Sequence, residues 1–312
     1  MSESLESIVI ANLKSTGLPE LDLSTFKRKD FIFPNRRRSL LTKGEMSIKD
    51  SSGKAKKMKV VLKTINKPYT EDLDERQKEK LVQYFAREAG IWRYSESHAN
   101  ILRLFGYVQV PGQILPSLVI PYSSKGSARA YVRRPENRDL PARERIRLAR
   151  DIARGLEFLH SLSPAIVHRD VRATNVLVEE INRSVKGILI DFGSAKLFEI
   201  DAFGANSTSS YSVAWMPPEY ILNPADYSNP TTYGDIWSLA CTCYEIFTGQ
   251  DPYPRYVDLE DAHAHGDTPA RPPSEYISDP VWEFLQCCWN SVPQNRPTAK
   301  QAASRLRELT PW

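Results

Sequence analysis

Ala165-Ile166-Val167-His168-Arg169-Asp170-Val171-Arg172-Ala173-Thr174-Asn175-Val176-Leu177-Val178 is the stretch on which the reading of this chain turns. Two strand-like apolar segments bracket an island of His, Arg, Asp and Asn. Further on, Ile188-Leu189-Ile190-Asp191-Phe192-Gly193 ends a third such segment on an aspartate. The pattern would bring two oxygen ligands and a further carboxylate onto adjoining loops. Ligands of this kind suit Mg²⁺, which keeps several waters and takes one or two carboxylates plus substrate phosphates. The chemistry they point to is phosphoryl transfer. Taken singly each piece is weak, since Asp-Phe-Gly is a common turn and His-Arg-Asp serves equally as a surface salt bridge.

Working outward, Glu45 to Lys49 alternates, Asp50-Ser51-Ser52-Gly53 is a turn signal, and Lys59 to Ile65 is a β-branched run. The pattern predicts a hairpin. Leu81, Phe85, Glu88 and Trp92 fall on one helical face between Glu71 and Tyr94, with Glu71, Asp72 and Asp74 early, where a helix N-terminus favours negative charge. Further strands are expected over Ile101 to Val108 and Leu115 to Ile120. Helices are expected over Glu144 to Leu162, Asp235 to Phe247 and Val281 to Trp289. A sheet-rich first third followed by a helical remainder implies an α+β protein in two lobes. Residues 1–25 read as a tail or a packed extension.

Composition excludes other classes. With 41% hydrophobic and 10% aromatic residues in 312 the chain has ample core, which excludes a disordered protein. A net charge of +4 is too small a bias to argue for nucleic acid, and the basic runs at Lys27 to Lys29, Arg36 to Arg38 and Lys54 to Lys59 read as solvated surface. No apolar run approaches the ~20 residues of a membrane helix, and the start lacks the order of a signal peptide. The four cysteines, Cys241, Cys243, Cys287 and Cys288, lack zinc-site spacing and read as reduced, buried thiols. The expectation is a soluble cytoplasmic protein. Glycine is scarce, 14 residues against 22 prolines, where average usage gives roughly 22 and 16.

The order and spacing of the motifs resemble the eukaryotic protein kinase family, most closely its tyrosine-kinase-like serine/threonine group. The family's signature set appears here as Val60-Val61-Leu62-Lys63, Glu88, His168 to Asn175, Asp191-Phe192-Gly193 and Pro217-Pro218-Glu219. The resemblance spans roughly residues 30 to 309. It implies a bilobal fold, with residues 26–120 as a small sheet-rich N-lobe, 121–127 as hinge and 128–312 as a larger helical C-lobe. It also implies ATP and Mg²⁺ as cofactors, a protein substrate, and no nucleic-acid partner. Lys63 paired with Glu88 would hold the α- and β-phosphates, Asp170 would take the hydroxyl proton, Arg172 would neutralise the transferring group, and Asn175 and Asp191 would hold the metal.

By the same resemblance Met46, Val61 and Leu177 sandwich adenine, Ile120 is the gatekeeper, and Pro121, Tyr122 and Ser123 form the hinge. Trp92, Leu104, His168 and Phe192 fall on an apolar spine. Asp235 braces the catalytic loop and Glu219 pairs with Arg296. The glycine-rich loop is expected at Ser39 to Met46, where Gly44 alone survives. Ser/Thr specificity is the favoured reading from Ser212; Arg172-Ala173-Thr174-Asn175 and Trp215 to Glu219 leave a tyrosine or dual-specificity kinase as an alternative, and the degenerate loop leaves a nucleotide-binding scaffold. The hydroxyl-rich run Ser207 to Tyr211 is a candidate phosphosite for Arg169.

Overall fold

The computed structural model describes residues 5–35, 39–49, 52–65, 73–94, 98–191, 213–223, 230–253 and 258–309. They fall into two compact units, the first built from residues up to 94 with 102–122, the second from 98–101 and from 123 onward. The first holds the main sheet and the second most of the helix, which is the α+β kinase-like division the motifs imply.

In the first unit Lys27–Asn35 (β1), Ser39–Lys49 (β2), Ala55–Ile65 (β3), Gly106–Val108 (β4) and Ser117–Pro121 (β5) form one five-stranded antiparallel sheet in the order β1-β2-β3-β5-β4. The expected hairpin is β2–β3, with Lys49 opposite Ala55 and Ser39 opposite Ile65. The strand expected from Ile101 to Val108 shortens to β4. Its first residue, Ile101, belongs to the second unit, where the Asn100 carbonyl accepts from Leu189 N at 2.8 Å and Ile101 bridges Leu189.

Pairing decides which side chains share a face, because they alternate along a strand. Met46 lies opposite Met58 and packs with Ile48, Val60, Leu62, Phe105, Val108 and Val119. Val61 and Lys63 lie opposite Lys43 and Leu41, on the other face. Met46 and Val61 therefore cannot close on the same adenine ring, and Met46 belongs to the apolar core of the sheet instead. Gly44 needs the same correction. It is paired with Arg28 on one side and Val60 on the other, so Ser39 to Met46 is continuous strand and not a phosphate loop. A Cβ on Gly44 would fall within the Phe26 ring, 2.5 Å from its Cζ. The glycine is there to admit that ring. A lone glycine in a strand-compatible run suits both a loop register and a close approach, and only the pairing distinguishes them.

Glu75–Tyr94 (α2) starts at a capping box in which Gln77 N donates to Asp74 Oδ1 and Asp74 N to Gln77 Oε1, both at 2.8 Å. Leu81, Val82, Phe85, Ala89 and Trp92 are its buried side chains, and the side chain of Glu88 lies outside the described residues. Ahead of the sheet, Leu5–Ser15 (α1) packs on α2 with Val9 and Leu13 fully buried.

The second unit comprises Ala128–Val132 (α3), Ala142–Ser161 (α4), the hairpin Val176–Ile181 (β6) and Ser184–Leu189 (β7), Pro218–Leu222 (α5), Thr232–Thr248 (α6), Leu259–Ala264 (α7), Asp279–Cys288 (α8) and Ala299–Glu308 (α9). Helix α4 buries the expected Ile146, Leu148, Ile152, Leu156 and Leu159 and packs on α6, α9 and β7. Two of its acids hold β7: Glu144 Oε2 accepts from Val185 N at 2.9 Å and Asp151 Oδ2 from Gly187 N at 3.0 Å. All four cysteines are unpaired; three are buried, but Cys287 is exposed, because it falls on the solvent side of α8.

Gly44→Ala is expected to cost about 1–3 kcal/mol, the usual range for overpacking, in urea denaturation. Adding Phe26→Leu should recover part of that loss by removing the ring atoms the new methyl meets.

Candidate active site

The loop before β6 has its shape set by buried polar bonds. His168 is fully buried; its Nε2 lies 3.1 Å from the Ile190 carbonyl, and its Nδ1 accepts from Asp170 N at 3.3 Å. Those roles place the ring proton on Nε2. Arg169 next to it has φ +69°, a left-handed conformation uncommon outside glycine and maintained only where its surroundings enforce it. Asp235 supplies the enforcement. Its Oδ2 accepts from His168 N at 2.7 Å and its Oδ1 from Arg169 N at 2.8 Å, while His160 Nε2 is 2.8 Å from Oδ2.

Asp235 is the first member of a stripe on α6. Ser238, Thr242 and Glu245 follow at i+3, i+7 and i+10, one face of a helix. Ser238 Oγ donates to the Trp215 carbonyl at 2.7 Å, Thr242 Oγ1 to the Val171 carbonyl at 3.0 Å, and Glu245 Oε2 accepts from Ala173 N at 3.3 Å. Glu245 is fully buried, with Arg129 at 2.7 Å, and Arg129 and Arg133 also reach Asp251 at 2.6 and 2.7 Å. Burial pushes the Glu245 carboxyl up to about 7 against the pull of Arg129 and Arg133. Sequence reasoning reached Asp235 alone; the other three were readable as polar residues at helical spacing within an apolar helix.

Around Asp170 the remaining motif residues converge. Asn175 Nδ2 donates to Asp170 Oδ2 at 2.6 Å and to the Asp170 carbonyl at 2.9 Å, and Arg172 Nε is 3.0 Å from Asp170 Oδ1. Burial raises the Asp170 carboxyl above its ordinary range, opposed by the Arg172 charge and the Asn175 hydrogen bond, while the Asp191 charge adds to the rise. Ile190 N donates to the Asn175 carbonyl at 3.0 Å, which ties the strand leading to Asp191 onto the loop. Asp191 itself has φ +65°. Asn175 and Asp191 thus offer an amide and a carboxylate oxygen, hard donors that fit Mg²⁺ completed by phosphate and water.

Sites expected on the sheet are found in the first unit. Lys63 lies opposite Leu118, and Val61 opposite Ile120, so Lys63, Val61 and Ile120 share one face. The Lys63 ammonium is 5.8 Å from the Trp92 ring centroid, within cation–π range, and Trp92 Nε1 donates to the Leu102 carbonyl at 2.5 Å. Tyr122 N donates to the Lys59 carbonyl at 3.1 Å, and Lys43 stands 4.0 Å over the Tyr122 ring. In the second unit, Ser123 Oγ donates to the Val178 carbonyl at 2.8 Å, and Leu177 is half-buried on β6. Phe192, Ser207 to Tyr211 and Ser212 lie outside the described residues. Arg296, 2% exposed, grips Glu219 through two bonds of 2.7 and 2.8 Å, the bidentate structural pair expected from sequence.

A family model described as protein tyrosine and serine/threonine kinase matches residues 40–306. The tyrosine-protein kinase Src64B of Drosophila melanogaster is 32% identical over 69% of this chain and 37% of its own length. "Probable serine/threonine-protein kinase SIS8" of Arabidopsis thaliana is 32% identical over 68% of this chain and 20% of its own length. Tyrosine-protein kinase SRK3 of Spongilla lacustris is 27% identical over 73% and 65%. The chain therefore spans about a third or less of the first two relatives and just under two thirds of the third.

Two outcomes follow from the α6 stripe. Asp235→Ala strands the backbone N–H groups of His168, buried, and Arg169, half-buried, and should cost about 2–5 kcal/mol in chemical denaturation. A carboxyl raised from 4.5 to about 7 on folding stabilises below the unfolded value, and that contribution is lost as pH rises through the folded one. The stability of the natural chain relative to Glu245→Gln should accordingly fall between those two pH values.

Proposed function

The chain belongs to the protein tyrosine and serine/threonine kinase family, and from that premise we propose that it transfers the γ-phosphoryl group of ATP to serine and threonine hydroxyls of protein substrates. The observation that carries the proposal is the trio of Asp170, Asn175 and Arg172, in which one carboxylate oxygen meets an amide N–H at 2.6 Å and the other a guanidinium at 3.0 Å. Such a carboxylate is oriented to accept a hydroxyl proton as the substrate oxygen bonds to phosphorus and the bond to the β–γ bridging oxygen breaks, its electron pair leaving with ADP.

Arg172 supplies positive charge beside that transfer. Asn175 spends its nitrogen on Asp170 and keeps its oxygen for Mg²⁺, with Asp191 as the carboxylate ligand; the ion, when bound, neutralises charge on the phosphates. Lys63 is assigned to the α- and β-phosphates with Glu88 as its partner, and Val61, Ile120 and Leu177 to the walls around adenine. Because Tyr122 N–H is spent on the Lys59 carbonyl, the adenine bonds are assigned to the backbone of Pro121 and Ser123. ATP as donor, with unpaired thiols, suits the cytoplasm.

Ser212, before Trp215, supports serine and threonine as acceptors. A tyrosine specificity is favoured by Arg172-Ala173-Thr174-Asn175 and by the likeness to Src64B. The two are separated by incubating the protein with Mg-ATP and a generic protein substrate, then mapping phosphosites by mass spectrometry with Asp170→Ala as control. Phosphoserine or phosphothreonine that vanishes in the control is expected. Phosphotyrosine would move the assignment, and nucleotide binding without transfer would mark a scaffold.

The acid limb of the pH–rate profile should report Asp170 above the ordinary aspartate value of 3.8. Arg172→Gln removes a charge that lowers it, so the limb should move to higher pH, as steady-state rates across the acid range will show.

A further inference from the structure

The family match begins at residue 40, yet the chain ahead of it is bound into the first unit along three of its features. Helix α1 lies on α2, burying Val9 and Leu13 completely at i and i+4. Where the two meet, α2 carries Gly90, and a Cβ there would stand 3.3 Å from Thr16 Cγ2. The chain then runs beside β4, an edge strand of the sheet. Tyr107 N donates to the Pro19 carbonyl at 3.1 Å and Leu21 N to the Tyr107 carbonyl at 2.8 Å, a parallel bridge centred on Glu20. Glu20 also accepts from Gln109 Nε2 at 2.9 Å. Gly106 has φ +155°, and a side chain there would collide with the Pro19 carbonyl and Leu21. Finally Leu21, Leu23 and Phe26 cover the Met46, Val60 and Leu62 face, Phe26 over Gly44.

Two glycines, Gly44 and Gly106, have no room for a side chain because of this segment, and Gly90 has little. Those close approaches lie on α2, β2 and β4, so the segment links the helix to both the middle and the edge of the sheet. We propose that residues 5–26 are a strap that positions α2 against the sheet, and that through α2 they set Glu88 for its partnership with Lys63. The proposal rests on the phosphotransfer reading for its second clause only. Val9, Leu13 and Thr16 are positioning residues; none touches nucleotide. The buried α1 face on α2 and the Pro19–Leu21 bridge on β4 are two separate attachments, so the segment ties the helix to the sheet as a single contact would not.

The test uses the full chain carrying Leu13→Ala, which removes methyl groups from the buried seat without adding charge, and Gly90→Leu, which pushes on the same seat from α2. Hydrogen exchange of peptides covering α2 should quicken about tenfold or more as that local opening becomes cheaper, while peptides from α4 in the second unit keep their rates. Unchanged exchange in α2, or equal quickening in α4, overturns the strap. In steady-state assays kcat/KM for ATP should fall about tenfold to a hundredfold, the scale of small misplacements, with the KM of the protein substrate unchanged. Introduced into Glu88→Gln, Leu13→Ala should produce no further fall, whereas independent losses would multiply. Multiplying losses overturn the route through Glu88. Absence of any transfer by the natural chain would defeat the kinase reading alone, and the exchange rates would still decide the strap.

Discussion

The carboxylate of Asp235 is 1% exposed and is filled by three donors, the backbone N–H groups of His168 and Arg169 and the ring of His160. A buried ion without such partners costs several kcal/mol, so the site tolerates it only because every bond it makes is needed. Two adjacent N–H groups pointing at one carboxylate fix the turn at Arg169, with its φ of +69°. That turn directs the His168 ring inward to the Ile190 carbonyl, and the ring in turn receives Asp170 N–H. Asp170 is thereby held where Asn175 and Arg172 reach its two oxygens. One interaction on a helix thus determines the position of a carboxylate that it never touches.

The rest of α6 repeats the arrangement. Thr242 and Glu245 hold Val171 and Ala173, and Ser238 holds Trp215. From α4, Glu144 and Asp151 secure β7, the strand that leads to Asp191. The loop residues around Asp170 are therefore fastened by helix side chains in addition to their own hydrogen bonds. Preorganisation of this kind means that the dipoles need not rearrange during reaction.

Much of this was legible because the chemistry restricts residue type. Asp170, Asn175 and Asp191 stood out as polar interruptions of apolar runs, and the Glu219–Arg296 pair followed from motif order. Helix α4 was legible from apolar positions recurring along one face, and α6 from its apolar run. Gly44 and Met46 were misread for one reason: assigning a face in a sheet requires the register, and a strand alone does not reveal it. Nor was the packing of α1 readable, since two buried side chains at i and i+4 are too few to distinguish a docked helix from a solvated one.

Register also gives the scarcity of glycine its meaning. Between the paired Asn35 and Ser39 stand Arg36, Arg37 and Arg38, so the span joining β1 and β2 contains no glycine at all. The glycines present answer demands of backbone and packing. Gly53 and Gly249 take left-handed turns, Gly155 lets α4 approach Leu189, and Gly44 and Gly106 admit Phe26 and Pro19. The basic runs acquire a structural reason in the same way. β1 is an edge strand, paired with β2 alone among the described strands, and it begins Lys27-Arg28-Lys29. Charge along an exposed edge opposes pairing with another sheet, while Glu45 on β2 ties Lys29 and Lys57 at 2.5 and 3.0 Å. The other edge, β4, is protected by chain instead of charge, through Glu20. A sheet with one edge charged and the other strapped resists pairing with a second sheet at both edges while leaving the Val61, Lys63 and Ile120 face uncommitted to that defence.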